Sequence, residues 1–245
     1  QSYFSQAKSL IEKFSLQFFS DSKQTVAEES DSLIVFVDTE ISPTQQKICD
    51  IGATTISNNI FHSSSITEFE RYAHKAQFIC GHNIIHHDLK YLYGSLNNCK
   101  KKYIDTLFLS PLLFPKKPYH KLLKDDKICS DEFNNPVNDS IKSKELFFSE
   151  IAQWEELPPN LKTIFHELLK EKNEFKYFFE FIDFNQYENY HLESLIFQTF
   201  NNKICANASL SELIRNTPVE LAYALALINV DDYHSLTPPW LIKTY

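Results

Sequence analysis

Apolar and polar positions along the chain follow two regimes. LIVFV (33–37) is an unbroken run of β-branched, aromatic and aliphatic residues, the composition of a central strand buried on both faces. KICDIGATTIS and IFHSSSI, split by Asn58-Asn59, predict a hairpin. TEFERYAHKA predicts a short helix, QFIC a short strand and NIIHHDLKYLYGSL a helix. YIDT predicts a strand that enters the helix LFLSPLLF. Pro115 and Pro118 bracket a loop, followed by a short helix in HKLLKDD. In DEFNNPVNDSIKS, Asn134 or Asn135 suits a helix cap and Pro136 the first helical position, with the helix running to about Trp154. Strands and helices alternate up to that point, which predicts an α/β domain with a mixed sheet over residues 31–155. Ahead of it, residues 1–30 hold an amphipathic stretch, YFSQAKSLIEKFSLQFF, and the polar linker QTVAEESDS.

Beyond Pro158-Pro159 the pattern is helical only, so residues 156–245 are expected to form a helical domain or extension. Ser209 with Glu212, and Thr217 with Glu220, have capping-box spacing, and Pro218 suits a first helical position. The aromatic cluster FKYFFEFIDF (175–184) reads as packed core.

Composition narrows the class. The 245 residues are 43% hydrophobic and 23% charged, an ordinary globular balance. No apolar run reaches the roughly 18 residues of a membrane span and no signal-peptide pattern opens the chain, so a cytoplasmic setting without membrane contact is expected. The five cysteines are odd in number, far apart and never in CxxC spacing, which argues against a disulfide framework and a cysteine zinc site. The absence of Met suggests a processed chain or a part of something longer. A net charge of −8 excludes a generic basic nucleic-acid binder. The charge is uneven, however. Residues 98–127 hold eight lysines against three aspartates, whereas residues 151–245 carry 13 acidic and 7 basic side chains. The lysine-rich stretch is a solvated face unless it borders a site that handles phosphates, in which case Lys116, Lys117 and Lys121 are the candidate substrate contacts.

Four carboxylates carry candidate chemistry. Asp38 and Glu40 end the strand LIVFV; residues i and i+2 of a strand point to one side, roughly 7 Å apart. Two carboxylates projecting together repel unless a cation lies between them, and hard cations favour such oxygen ligands. A strand that merely ends in polar residues has the same pattern. On a helix, Asp88 would fall between Ile84 and Ile85 in projection, within an apolar stripe continued by Tyr91 and Leu92. A charge there needs an ion pair or a metal. Asp139 lies about 160° from Ile141 on a wheel of ~100° per residue, outside the apolar stripe of its helix, and by pattern alone reads as solvated.

VFVDTE, CGHNIIHHDLKYL, YIDTL and NDSIKSKELF, in that order, resemble the motifs of the DEDD-type 3′→5′ exonucleases, over about residues 33–155. The resemblance implies an RNase H-like sheet flanked by helices. It also implies two divalent metal ions, Mg²⁺ or Mn²⁺, held by Asp38, Glu40, Asp88 and Asp139. The implied reaction is hydrolysis of phosphodiester bonds to release nucleoside 5′-monophosphates, with nucleic acid, DNA first, as partner. The chain departs from the pattern in one place. Asn134 stands where the histidine-bearing branch has its histidine, and Asn135 where the tyrosine-bearing branch has its tyrosine. Asparagine orients a water but does not take its proton at neutral pH. His120 is then a candidate substitute base; His86 and His87 would point away from Asp88 by helical phase, and His82 reads as structural. An alternative is a catalytically impaired module that binds nucleic-acid ends or a partner. TPVELAYALALIN and LTPPW resemble the segment that follows the exonuclease region in bacterial fusions to RecQ-like helicases, which implies a helicase domain in a longer chain.

Overall fold

A computed structural model describes residues 33–96, 101–122, 135–185 and 191–230, with 202 and 206 excepted. The expected N-terminal helix, most of the HKLLKDD helix, Asn134 and LTPPW lie outside the described residues. Two compact units are present: one takes in residues up to Leu107 and Lys121–Ala152, the other Phe108–His120 and residues from Gln153 onward. Phe108–His120 thus joins the helical unit rather than the sheet unit.

The sheet unit holds five strands: β1 (Ile34–Ile41), β2 (Ile48–Thr54), β3 (Ile60–Ser63), β4 (Phe78–Gly81) and β5 (Lys102–Asp105). Their order is β3-β2-β1-β4-β5. β2 runs antiparallel to β1 and β3, while β4 and β5 are parallel to β1. This mixed sheet, with its flanking helices and the helical region after it, is consistent with an RNase H-like arrangement. The helices of this unit are α1 (Ile66–Tyr72), α2 (Leu89–Leu96) and most of α4 (Pro136–Glu156); α3 (Thr106–Leu113) follows β5 directly. LIVFV is the central strand expected, extended through Asp38 and Glu40 to Ile41.

Strand alternation gives β1 two different faces. Val35 and Val37 join Ile51, Ala53, Phe69, Leu89 and Leu92 in a core beneath α1 and α2. Phe36 faces the other way, its ring 5.8 Å and 5.7 Å from Phe147 and Phe148 of α4. All three rings are buried, each worth about 1.5–3 kcal/mol of transfer free energy. Asp38 and Glu40 continue the series of Ile34 and Phe36, so they leave the sheet on the α4 side. Thr39 leaves on the side of Val35 and Val37.

α2 begins at Leu89, not at Asn83 as the periodicity predicts. Residues 84–88 form hydrogen-bonded turns instead, with Leu89 N–H reaching back to Ile84 O and Asn83 at a φ of 66°. Of the apolar stripe, Ile84 and Leu92 are buried, with Leu89 beside them, but the backbone through Asp88 is not helical.

The helical unit contains the end of α4, then α5 (Pro159–Leu169), α6 (Lys176–Phe181), α7 (Leu192–Thr199), α8 (Leu210–Asn216) and α9 (Pro218–Val230). Phe175, Phe178, Phe179 and Phe181 are buried, as core. Ser209 caps α8 without a side-chain bond, and the Thr217 hydroxyl donates back to Leu213 O, so the Ser209 box does not close. Among the described residues no helix is long and apolar enough to cross a membrane.

Candidate metal centre

Asp139 reaches Asp38 because Gly52 has no side chain. Gly52 pairs with Asp38 across β1 and β2. A Cβ on it would lie 2.1 Å from Pro136 C and Val137 N. The first turn of α4 therefore rests on the backbone of β2. Asn135 fixes that turn: its Oδ1 accepts Val137 N–H at 3.0 Å, and its backbone O accepts Asp139 N–H at 3.2 Å. Asp139 follows Pro136 by one turn, which sets it beside the strand residue opposite Gly52.

The outcome is a cluster of three carboxylates. Asp38, Glu40 and Asp139 each offer an oxygen, all within 4.8 Å of one another, and each residue is partly exposed. Lys142 Nζ stands 4.0 Å from Asp139, one turn along α4. Three anionic groups at this spacing repel unless a cation joins them, and an all-carboxylate oxygen set suits a hard divalent ion. The residues present thus fit the Mg²⁺ or Mn²⁺ expected of them.

Asp88 is placed differently. It is 2% exposed, as its apolar stripe predicts. Its Oδ1 accepts the Thr39 N–H at 3.0 Å and the Thr39 hydroxyl at 2.5 Å. The β1–β4 pairing ends at Phe36 and Cys80, so Thr39 lies beyond it, and Asp88 supplies an acceptor there. Among the described residues the group that converges on one point is Asp38, Glu40 and Asp139, without Asp88.

Two neighbours were not legible as part of this region. His87, which helical phase directs away from Asp88, has Nδ1 3.7 Å from Asp88 Oδ1. The helix starts after it, so helical phase does not apply. Its bond to Asp88 holds its pKa above the usual histidine range, with a further contribution from Glu40. Asp105 ends β5 and accepts N–H groups from Asn83 at 2.8 Å, Ile85 at 3.0 Å and Leu107 at 3.0 Å. It thereby fixes the turn that carries Asp88. Burial pushes its pKa up to about 6, against the opposing pull of those three donors. His82 sits at the same turn with Nδ1 2.9 Å from Thr106 Oγ1.

His120 belongs to the helical unit, where Nδ1 lies 3.0 Å from Ser110 Oγ. Burial, then Lys117, holds its pKa below the usual range. Lys116 and Lys117 are exposed on the same segment, and Lys121, which falls in the sheet unit, is exposed too. Asn134 lies outside the described residues, directly ahead of the capping Asn135. No protein-family model, curated protein or solved structure matches the chain.

Proposed function

We propose that the chain is a metal-dependent 3′→5′ exonuclease that releases nucleoside 5′-monophosphates from nucleic acid. The convergence of Asp38, Glu40 and Asp139 carries this reading. A structural role does not require three partly exposed carboxylates to face one another, and a hard cation does. When bound, a divalent ion there would polarise the phosphodiester and lower the pKa of an attacking water. The chain's own residues supply the frame. Gly52 admits α4 to the sheet, Asn135 holds its first turn, and Asp88 fixes the backbone of Thr39 between the two strand carboxylates. In the DEDD reading Asp88 is the fourth ligand, serving a second ion.

A second reading is a module of the same fold that binds nucleic-acid ends without cutting. Asn134, at the place of the expected histidine, favours it, because asparagine supplies no general base. One assay separates the two. End-labelled single- and double-stranded DNA and RNA are incubated with Mg²⁺ or Mn²⁺, beside Asp38→Ala. Metal-dependent mononucleotide release by the wild type and none by the variant supports the enzyme; no release under any condition sinks it. Asn134→His in the same assay raises the rate strongly if the base is missing, and leaves it unchanged if another group serves.

A further inference from the structure

Among the described residues, the exposed large hydrophobics are Ile60, at 55%, and Tyr119, at 78%. Tyr72, Tyr91 and Tyr223 turn their hydroxyls onto Asn59 O, Gln46 and Phe108 O. Tyr119 stands in solvent. Around it, residues 114–120 (FPKKPYH) hold Lys116 and Lys117 and no acidic residue, in a chain of net charge −8. The segment is built rather than slack. Phe114 N–H bonds Ser110 O at 2.8 Å, and Lys117 N–H bonds Phe114 O at 2.9 Å. His120 is tied to Ser110, which is 1% exposed. The Lys117 ammonium lies 4.0 Å from the centre of the Phe114 ring. Pro115 and Pro118 restrict the backbone on either side, so less order is lost on binding. Burial, then Lys117, lowers the pKa of His120. Lys116 and Lys117 carry positive charge on this segment.

We propose that residues 114–120 form a contact for single-stranded nucleic acid, with a base stacked on Tyr119 and backbone phosphates taken by Lys116 and Lys117. The substrate class rests on the nuclease reading. An exposed ring flanked by cations matches an unpaired strand, in which each base has a face and each linkage a charge. A duplex offers phosphates but hides its base faces, and leaves the exposure of Tyr119 unused.

The test is binding without cleavage: the full chain in EDTA, titrated into fluorescently labelled oligo(dT) and oligo(U) and read by anisotropy. Tyr119→Ala weakens binding about tenfold, and Tyr119→Trp restores it. Replacing Lys116 and Lys117 by alanine lowers the slope of log K against log salt by about 1, whereas Lys75→Ala, at an exposed site elsewhere, changes neither. The two oligonucleotides show whether DNA, RNA or both are held. Wild-type affinity in Tyr119→Ala overturns the proposal, as does absence of binding to either strand. Polyphosphate competing equally well against wild type and Tyr119→Ala also overturns it, and marks the patch as a docking surface for an acidic partner. The nuclease reading fails separately: strand binding intact in EDTA, with no mononucleotide release on adding metal.

Discussion

The two units bury polar side chains in contrasting ways. In the sheet unit, several buried polar groups end on backbone atoms. Asp88 holds Thr39, Asp105 holds three N–H groups around the β4–α2 turn, and Lys101 Nζ donates to Ala73 O and His74 O at 2.8 Å. In the helical unit, two buried polar side chains, Trp154 and His166, sit among aromatic rings. Trp154 packs against Phe178, Phe179 and Phe184, with its indole N–H buried without a hydrogen-bond partner. His166 packs edge-on to Phe179 and Phe184. The first arrangement fixes the backbone that presents charge. The second packs volume and tolerates an unmet donor, at a cost of about 1–3 kcal/mol per group. Chemistry is therefore expected from the sheet unit, and chiefly stability from the helical core.

The most direct way to break this comparison is Asp38→Ala. It should reduce metal-dependent release by at least about a thousandfold, ~4 kcal/mol on the rate scale, with the melting temperature little changed. A variant that retains activity would remove the carboxylate cluster from the reaction. Phe178→Ala should do the reverse. Deleting a ring that is 1% exposed should cost about 3–5 kcal/mol of stability, read in a urea titration. The folded fraction should keep the wild-type Mn²⁺ affinity by calorimetry.

Acid should act on the two units with opposite signs. The Asp105 carboxyl titrates near 6 when folded, against an ordinary 3.8, so its protonated form favours the fold. The stabilisation is complete below the ordinary pKa and is lost as pH rises through 6, a swing on the order of 3 kcal/mol. Burial lowers the pKa of His166, so protonation opposes the fold. Stability present above the ordinary histidine pKa is lost as pH falls below it. Melts across pH 4–8 with Asp105→Asn and His166→Gln, at those extremes of pH, should each flatten one of the two slopes. Unchanged slopes would show that neither group governs them. Gly52→Ala should have a smaller effect, about 1–3 kcal/mol of overpacking. Its informative consequence is weaker Mn²⁺ binding as the first turn of α4, and Asp139 with it, is pushed from Asp38.

Much of this was legible because it depends on local pattern. The central strand, the hairpin at Asn58-Asn59 and the start of α4 at Asn135-Pro136 all follow from neighbours in sequence. Asp38 and Glu40 share a side by strand parity alone. Asp139 was not legible by periodicity, since its position on the helix wheel is that of a solvated charge; only the motif series singled it out. Asp88 was correctly read as buried, but its partner was not. Thr39 lies 49 positions away, and no local pattern connects them. The His87 orientation failed for a definite reason: Ile84 and Leu92 are buried as the apolar stripe predicts, but turns rather than a helix carry residues 84–88, so helical phase does not apply there.

By itself the sequence determined which segments become strands and helices, and which carboxylates leave β1 together. Propensity, capping and parity act over a few residues, so one chain segment suffices to specify them. Tertiary structure decided which acids meet. A glycine on β2 lets a helix begin against the sheet, and that close approach carries Asp139 to Asp38 and Glu40. It also decided that Asp88 would hold Thr39, and that Tyr119 would face solvent. Convergence and exposure depend on the packing of distant segments, which no window of neighbouring residues contains.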